Sequence, residues 1–412
     1  MKILHISTSD NGGAGLAALR IHKSLLCLGC NSKMLVADKS SQLDTIYVVK
    51  ENLNLYHWSS IWLFRKFQKF VLRKLGFVTK IEKYEAIVNS IPLEQRVFFT
   101  FPITHYDLSE HPLVKEADII HLHWIANFVD YETFFKKVNK PIVWTFHDEN
   151  IGLGGFHYTK TSQGYSDYYK NIEEEFCKIK KQALIGKTNI TSIALSKMMV
   201  KFCADHSFLK ENPVYIINNG VDNLVYRPQN KEFARSVFNI PINNLVLAFC
   251  SVSLQDERKG LKELIKALEI LSISNITLLC IGNGNISSTT KINTVCVGQI
   301  QNENIISLLY SCADMFVIPS FQESFGQTTI EAMSCGVPVV TFPCGIAQEI
   351  INDTNGVVCS DFTVPALVEG IQKALSIKYN PDAIRQNIIN HFSSKKIANE
   401  YISVYNHVLE QK

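Results

Sequence analysis

Short runs of consecutive apolar residues alternate along this chain with longer segments in which apolar residues recur with helical period. Such runs are typical of strands covered on both faces, as in a parallel sheet whose crossover connections are helices. In the first half of the chain the runs are Lys2–Thr8, Lys33–Ala37, Thr45–Val49, Asp118–Trp124, Pro141–His147, Thr191–Ser196 and Val214–Asn218. In the second half they are Leu245–Val252, Ile276–Gly282, Thr294–Gly298, Met315–Pro319, Pro338–Phe342 and Gly356–Cys359.

The alternation of strands and helices starts twice, which predicts an α/β protein with two doubly wound, Rossmann-like domains. We place the domains at residues 1–222 and 223–391, because a polar stretch follows Asn219–Asp222. The last helix, at about residues 392–412, is expected to pack back on the first domain. Doubly wound sheets bind ligands beyond the carboxyl ends of their strands, so we expect a site in a cleft between two facing domains.

Charge and composition exclude several classes of protein. The 412 residues carry 41 Lys and Arg against 38 Asp and Glu, and a net charge of +3 argues against nucleic-acid binding through bulk electrostatics. Most of the 11 cysteines lie in apolar runs, where we expect buried, reduced thiols. No apolar run reaches the roughly 18 residues of a membrane-spanning helix, and polar residues begin at Ser7, too early for a signal peptide. The sequence therefore predicts a cytoplasmic protein.

The most informative segment is PSFQESFGQTTIEAMSCGVP, residues 319–338. It follows the apolar run Met315–Ile318, makes a tight turn at Ser324–Gly326 and enters a helix near Gln327. The free N–H groups at the start of such a helix, beside a glycine, can bind a phosphate.

Two acids of this segment, Glu323 in the loop and Glu331 in the helix, can bind hydroxyl groups. Glu331 is placed to accept hydrogen bonds from two vicinal hydroxyls, as a ribose presents, and Glu323 can do the same for a sugar. The alternative is that both acids stabilise the helix dipole. The frame of a strand, a Pro-Ser loop, a helix and Cys335–Pro338 favours the first interpretation.

The segment resembles the donor-binding motif of glycosyltransferase family 4, which consists of retaining enzymes with the GT-B fold. The matching residues are Ala313-Asp314, Phe316-Val317, Pro319-Ser320, Glu323, Phe325-Gly326, Glu331-Ala332-Met333, Gly336 and Pro338-Val339-Val340. The likeness extends upstream to Asn219–Asp222, Lys259–Leu261, Gly282–Gly284 and Val297–Ile300. A polysaccharide-assembly branch of the family is matched by Asn11–Gly15, His123-Trp124, Trp144–Asp148 and Gly154–Tyr158. The resemblance covers nearly the whole chain.

The resemblance implies a role for each motif residue. Glu331 would bind the ribose of a nucleotide, and Glu323 the hydroxyls of the transferred sugar. The backbone amides of Phe325 and Gly326 would bind the pyrophosphate. Lys259 would neutralise the leaving diphosphate as a fixed positive charge.

Other residues complete the implied donor site. The segment Gly298–Ile300 would face the base, and the loop Asn11–Gly15 would allow close approach of the backbone to a phosphate or acceptor. The chain departs from the family at Ser253, six residues before Lys259, where an arginine is usual; Arg258 is the candidate substitute. The residues thus assigned to donor binding are Glu331, Ser324, Phe325, Gly326, Arg258, Gly298, Ile300, Gly12 and Gly13.

In the first half, His147 ends the run Pro141–Phe146. The resembling enzymes place a histidine at this strand end, so we interpret His147 as a catalytic residue that positions the substrate or hydrogen-bonds to the transition state. Asp148 either orients His147 or caps the following turn. His157, with Asp148, is assigned to the acceptor side.

His121 and His123 lie two residues apart on one predicted strand and share a face. They could form a pair of metal ligands, but the sequence offers no evident third ligand. We therefore expect these histidines to be buried or to line the site, and we predict no metal site.

The resemblance implies an enzyme that moves a sugar from a UDP- or GDP-sugar to a hydroxyl of a growing, lipid-linked bacterial polysaccharide of the lipopolysaccharide or capsule type. Residues 1–222 would bind the acceptor and residues 223–391 the donor. No carboxylate is placed as a nucleophile, so we favour a same-face displacement with retention, in which the leaving phosphate helps to deprotonate the acceptor. With Lys259 and the loop amides stabilising the leaving group, neither a metal ion nor a cofactor is required.

The segment Ile61–Lys83 is rich in basic residues, and Arg65, Lys66, Lys69 and Arg73 share one face of a helical wheel. Such a helix either lies on an anionic membrane, here the inner membrane, or packs as an ordinary surface helix.

Two alternative functions remain open at this point. Gly13–Ala18 fits the G-x-G-x-x-A pattern of NAD-dependent oxidoreductases, and Asp38 follows about 20 residues on, but this interpretation leaves Glu323 and Glu331 unexplained. The other alternative is a non-catalytic protein that binds a sugar nucleotide without turnover.

Overall fold

The computed structural model describes residues 1–49, 79–286 and 292–411, which form two α/β sheets with their helices. The first sheet has seven strands in the order β3-β2-β1-β4-β5-β6-β7. They are β1 (Lys2–Ile6), β2 (Asn31–Val36), β3 (Ile46–Val48), β4 (Ile119–Leu122), β5 (Ile142–Phe146), β6 (Ile190–Ala194) and β7 (Val214–Ile216). The second sheet has six strands in the order β10-β9-β8-β11-β12-β13. They are β8 (Leu245–Ser253), β9 (Ile276–Asn283), β10 (Asn293–Cys296), β11 (Met315–Ile318), β12 (Val339–Thr341) and β13 (Gly356–Val358).

The helices follow the strands along the chain. In the first half they are α1 (Gly12–Cys27), α2 (Lys80–Ser90), α3 (Pro112–Glu116), α4 (Tyr131–Lys137), α5 (Thr159–Leu184) and α6 (Lys197–His206). In the second half they are α7 (Lys231–Val237), α8 (Leu261–Leu271), α9 (Glu303–Cys312), α10 (Gln327–Ser334), α11 (Ala347–Ile350), α12 (Val364–Ser376), α13 (Pro381–Phe392) and α14 (Ser394–Glu410).

The predicted fold class is confirmed. Each apolar run of the sequence coincides with one of these strands, and all pairings within the six-stranded sheet are parallel. Strand β8 shows why continuous apolar runs form such a sheet. Its residues Val246 and Ala248 enter one hydrophobic core and Leu247 and Phe249 another, because side chains of a strand alternate between its two faces.

Contacts divide the chain into two compact units. The first unit comprises Met1–Asp10, Ser32–Ser192 and Phe202–Pro213. The second comprises Asn11–Asn31, Ile193–Lys201 and Val214–Lys412. Within the second unit, α14 packs on α1 and α13, and parallel bridging joins Val221 to Ser393 at the start of α14. The proposed domain limits at residues 222 and 391 stay a prediction.

Two further sequence expectations concern cysteines and membranes. All eleven cysteines lie in the described part of the chain and are free thiols, six of them buried. None of the helices in the described ranges is both long enough and apolar enough to cross a bilayer. Most of the basic segment 61–83 lies outside the described residues, which resume at Thr79 before α2.

Gly260 makes one close approach that positions the candidate site. It precedes α8 with a φ of +72°, and a β-carbon there would lie 2.0 Å from the carbonyl oxygen of Pro319. Next to it, the Phe321 amide donates to the Arg258 carbonyl at 2.9 Å. Only a residue without a β-carbon lets the loops after β8 and β11 touch in this way.

We expect Gly260→Ala to lower the free energy of unfolding by about 3 kcal/mol or more, because strain at positive φ adds to a backbone clash. Gly29→Ala is the matched control in the same unit, since Gly29 has a φ of +78° and open space around its β-carbon position. The control should lose only about 1 kcal/mol. Urea unfolding followed by circular dichroism measures both losses, and equal losses would contradict the role given to this contact.

Candidate active site

The loop between β11 and α10 contains backbone groups that are open to a ligand. Gly326 has a φ of +90° and immediately precedes α10. The amides of Phe325 and Gly326 donate no hydrogen bond to any other described residue, while the Phe325 carbonyl accepts one from the Ile346 amide at 2.8 Å. The loop is therefore fixed through its carbonyl and leaves its N–H groups available at a helix start, which favours an anion.

Ser324 adds a second open group to this loop. Its side chain is 5% exposed, and its hydroxyl has no hydrogen-bond partner among the described residues. Its carbonyl accepts from the Ser196 hydroxyl at 2.9 Å, so the residue is held while its own hydroxyl is not used. A buried hydroxyl without a partner is costly, and a bound ligand can supply that partner.

Lys259 and Glu323 form an ion pair at the same place. The Lys259 ammonium lies 2.5 Å from the Glu323 carboxylate, and the two side chains are 21% and 14% exposed. The Arg258 guanidinium donates to the Gln322 carbonyl at 2.9 Å and to Asp256 at 3.0 Å. Burial would raise the pKa of Glu323, but the charges of Lys259 and Arg258 outweigh it and lower the pKa, so the carboxylate is ionised. Arg258 thus lies beside the motif loop, and its role as a substitute for the arginine missing at Ser253 stays a prediction.

Glu331 has a partner that the sequence did not indicate, Arg20 of α1. The two side chains are 2.8 Å apart, and Arg20 also contacts Glu303 at 2.5 Å and donates to the Tyr226 hydroxyl at 3.1 Å. The Tyr310 hydroxyl donates to the other Glu331 oxygen at 3.3 Å. The only sequence signal of this buried ion pair was the position of Arg20 between two apolar residues of a predicted helix, Leu19 and Ile21.

Burial sets the charge state of this cluster. It raises the pKa of Glu331, and the opposing charge of Arg20 offsets this only in part. Burial alone would lower the pKa of Arg20, but Glu331, Tyr226 and Glu303 together raise it above its usual value. Arg20 is therefore a permanent cation that stabilises the ionised form of Glu331.

Three of the four glycines assigned to donor binding have open space around their β-carbon positions. Gly12 (φ +69°) and Gly13 begin α1, and Gly298 (φ +74°) follows β10; none has an atom within 4 Å of its β-carbon position. Ile300 packs partly against a hydrophobic core of the second unit. No atom of the described residues therefore blocks approach to the backbone at Gly12, Gly13 and Gly298. The roles predicted for these glycines and for Ile300 stay predictions.

In the first unit, the histidines at the ends of β1, β4 and β5 form a hydrogen-bonded chain. His147 Nε2 lies 3.2 Å from His123 Nδ1, and His123 Nε2 lies 2.9 Å from His5 Nδ1. His121 instead contacts the Thr145 hydroxyl at 2.8 Å. Burial lowers the pKa of His147 to about 4, against the opposite effect of Asp148, so this imidazole is neutral at pH 7.

The structure brings a third imidazole, that of His5, close to His121 and His123. His5, His121 and His123 are buried, and one ligand atom of each lies within 4.8 Å of the others. Their burial confirms the preferred interpretation of His121 and His123. The sequence offered no evident third ligand because His5 lies on β1, more than 100 residues away along the chain, and only the pairing of β1 with β4 makes His5 the register partner of His121.

The hydrogen-bond partners of Asp148 do not include His147, which was the first of the two alternatives. Its carboxylate accepts from Trp124 Nε1 at 2.8 Å, from His157 Nδ1 at 2.6 Å and from the Asn150 amide at 3.0 Å. Asp148 therefore caps the turn after β5, the second of the two predicted alternatives, and orients His157. Burial would raise its pKa, but His157 and these hydrogen bonds lower it.

Lys180 of α5 braces the same turn, and sequence reasoning missed it. This side chain is 1% exposed, and its ammonium donates to the carbonyls of Asn150 and Leu153, each at 2.9 Å, and to the Asn150 side chain at 2.6 Å. Burial lowers the pKa of Lys180 to about 7. A lysine on a long amphipathic helix gives no sequence signal of such a role.

Known proteins resemble this chain in sequence and in fold. Residues 230–391 match the family model of glycosyl transferases group 1. An uncharacterized glycosyltransferase of Methanocaldococcus jannaschii is 26% identical over 320 residues, which cover 72% of this chain and 77% of that protein. The capsular polysaccharide biosynthesis glycosyltransferase CapM of Staphylococcus aureus is 25% identical over 252 residues, covering 57% and 65% of the two chains.

A solved structure, Anabaena HepE in complex with UDP-glucose, matches with a TM-score of 0.62 at 18% identity and covers 99% of this chain and 100% of that one. The protein is thus an α/β enzyme of the GT-B fold, a glycosyltransferase. The region that matches the group 1 model, residues 230–391, includes Lys259, Glu323 and Glu331. The comparisons favour neither the NAD-dependent oxidoreductase nor the non-catalytic alternative.

Replacing Arg20 tests the buried ion pair. We expect Arg20→Met to lower the free energy of unfolding at pH 8 by about 3–5 kcal/mol, because Glu331 and Glu303 lose their buried counter-charge. The loss should be smaller at pH 5. Without Arg20 the pKa of Glu331 rises further, so the folded variant holds a proton that the unfolded chain releases above about pH 4.5, and stability falls as pH rises.

Urea unfolding at both pH values measures this difference. The double variant Arg20→Met/Glu331→Gln serves as the control, since a neutral amide removes the unpaired charge and should restore part of the stability at pH 8. A loss that is equal at both pH values and is not reduced in the double variant would refute the assignment.

Proposed function

We propose that this enzyme transfers a sugar from a nucleotide-diphosphate donor, UDP- or GDP-linked, to a hydroxyl of a growing polysaccharide with retention of the anomeric configuration. The observation that carries the proposal is a group of hydrogen-bond donors in the loop after β11, unpaired within the described part of the chain and beside the Lys259–Glu323 ion pair. These donors are the Phe325 and Gly326 amides and the Ser324 hydroxyl. Amides at a helix start and a fixed lysine suit a diphosphate. The HepE structure is a complex with UDP-glucose, which supports the choice of donor.

The groups of the motif loop and the residues near it each have a part in the proposed binding of the sugar nucleotide. The pyrophosphate would accept hydrogen bonds from the Phe325 and Gly326 amides and the Ser324 hydroxyl. Glu323, kept ionised by Lys259, would accept from hydroxyls of the sugar, and Glu331 from the two ribose hydroxyls. An ionised carboxylate has about four acceptor positions, so Glu331 can keep Arg20 and still accept from a ribose. The base would face Gly298–Ile300, and the Gly12-Gly13 loop would approach a phosphate.

The proposed chemistry is a same-face displacement. The bond between the anomeric carbon and the diphosphate oxygen breaks while the acceptor oxygen bonds to that carbon on the same face. The acceptor proton passes to the departing phosphate, and the Lys259 ammonium and loop amides stabilise the negative charge that develops. His147, neutral at pH 7, would hydrogen-bond to the reacting sugar, and His157 and Asp148 would act on the acceptor side. In this scheme no step needs a metal ion.

The proposed acceptor is a lipid-linked glycan at the cytoplasmic face of a bacterial inner membrane. The likeness to CapM, a capsular polysaccharide biosynthesis enzyme, supports a surface polysaccharide. The basic residues of segment 61–83, which would share one face of a helix, support contact with an anionic membrane, and this would bring the enzyme to a lipid-linked substrate.

Steady-state kinetics test the donor assignments. A screen of UDP- and GDP-sugars by released nucleotide, with EDTA present throughout, should identify a donor that turns over. We expect Glu331→Gln to raise the donor KM by about tenfold with little change in kcat, because it removes a hydrogen bond to a charged acceptor. His147→Ala should lower kcat by about a hundredfold, because it removes a transition-state contact.

Thermal unfolding of both variants controls for misfolding. Equal, small effects of the two substitutions in folded protein would count against these roles. Strict dependence of turnover on Mg²⁺ or Mn²⁺ would refute the metal-free scheme, and the absence of released nucleotide with every donor would refute the function itself.

Liposome flotation tests the membrane contact. The wild type should float with vesicles that contain anionic phospholipid, and the variant Arg65→Glu/Lys69→Glu/Arg73→Glu should lose most of this binding, since each basic residue contributes about 1 kcal/mol near such a surface. Lys395→Glu/Lys396→Glu, on the exposed start of α14, is a charge-reversal control that should still float. Equal flotation of all three proteins would exclude the segment as the contact.

A further inference from the structure

An exposed aromatic ring lies beside the residues assigned to the acceptor. Phe98 is 63% exposed, whereas most large apolar side chains of the first unit are buried. Its ring is nearly parallel to Trp124, at an interplanar angle of 15° and a centroid distance of 5.9 Å, and lies 4.9 Å from the ring of His157. Phe98, Trp124 and His157 form what we call the aromatic platform.

Hydrogen bonds fix the inner part of the aromatic platform. Trp124 Nε1 and His157 Nδ1 both lie within 2.8 Å of the same Asp148 oxygen, and His157 Nε2 lies 2.9 Å from the Thr100 hydroxyl. These contacts are made at the ring edges, so they orient the Trp124 and His157 rings while the ring faces pack against Phe98. The platform is therefore preorganised, which lowers the entropic cost of binding a ligand.

The backbone on both sides of Phe98 is also held. The Val97 amide donates to the Tyr169 hydroxyl at 3.1 Å, and the Thr100 amide donates to the Gly155 carbonyl at 3.0 Å. Phe99 points the other way and packs on Phe156 and Tyr169. The exposure of Phe98 is thus built into a well-anchored segment and is not a consequence of a loose loop end.

The chemistry of the aromatic platform selects its ligand. An aromatic ring carries a negative face, which attracts the polarised C–H bonds on the apolar face of a pyranose, and stacking also removes apolar surface from water. Beside the platform, the Asp148 carboxylate is 13% exposed and accepts three hydrogen bonds, so it keeps an acceptor position that suits a hydroxyl of the same sugar. A lipid chain or an apolar peptide would offer this carboxylate no hydrogen bond.

We propose that the aromatic platform is a sugar-binding subsite on which a neutral pyranose of the glycan acceptor stacks against Phe98. The identification of the ligand as an acceptor sugar rests on the proposed function. Phe98 makes a contact that binds and orients the glycan, and it takes no part in the transfer itself.

Binding to the full-length protein tests the subsite directly. The probes are neutral trisaccharides of glucose, galactose and mannose, titrated separately and followed by saturation-transfer NMR and Trp fluorescence. We expect at least one probe to bind the wild type, and Phe98→Ala to weaken it by about tenfold, the effect of losing one stacked ring face. Phe98→Tyr keeps the ring and should bind within about twofold of the wild type.

Leu93→Ala is the matched control, because Leu93 is 78% exposed in the same stretch of chain and lies outside the aromatic platform. Its binding should equal that of the wild type. The proposal is overturned if no trisaccharide binds the wild type, or if Phe98→Ala and Leu93→Ala have the same affinity. It is also overturned if uridine or guanosine, titrated as further probes, binds in a Phe98-dependent way in place of the sugars.

Donor turnover separates this inference from the proposed function. In the absence of glycan, with water as the acceptor of the sugar, Phe98→Ala should release nucleotide from the donor at the wild-type rate. With glycan present, it should raise the KM for the glycan acceptor by about tenfold. If the wild type binds the trisaccharides through Phe98 but turns over no donor, the proposed function fails and the sugar subsite stands. If donor turnover is normal and Phe98→Ala changes neither the affinity for trisaccharides nor this KM, the subsite fails alone.

Discussion

Parallel pairing of strands is the constraint on which the site of the second unit depends. Because all strands of its sheet run in one direction, the loops that follow β8, β10 and β11 leave from the same edge. Lys259 follows β8 and Glu323 follows β11, and this common edge is why residues 64 positions apart form an ion pair. The close backbone approach at Gly260 then sets the distance between the two loops.

Burial gives the charges of this site their effect. Glu323 and Glu331 would both be destabilised as anions in a desolvated site, and each is matched by a cation, Lys259 or Arg20. The pairs differ in accessibility, since Lys259 is 21% exposed and Arg20 is 6% exposed. The first pair can be rearranged by a ligand that brings its own negative charge, whereas the second stabilises the structure around it. A site that is charged before its ligand arrives needs little reorganisation during the reaction.

Local patterns made much of the protein predictable. Each strand in the described part of the chain was indicated by an apolar run, because burial on both faces leaves few polar positions in a central strand. The start of α10 at Gln327 followed from the tight turn before it. The sequence left two roles open for Asp148, because a carboxylate after a strand can either cap a turn or orient a neighbouring ring. Only packing decides between these roles.

The sequence by itself determined the alternation of strands and helices, the order of the motif residues and the chemistry that each could perform, since these depend on residue type and short spacing. Tertiary structure decided which residues meet. His5 and His123 are 118 positions apart, and Phe98 reaches Trp124 and His157 from a stretch without regular periodicity. Arg20 and Glu331 come from two helices far apart in the chain. Such contacts depend on sheet register and helix packing over the whole fold, and no local pattern of residues encodes them.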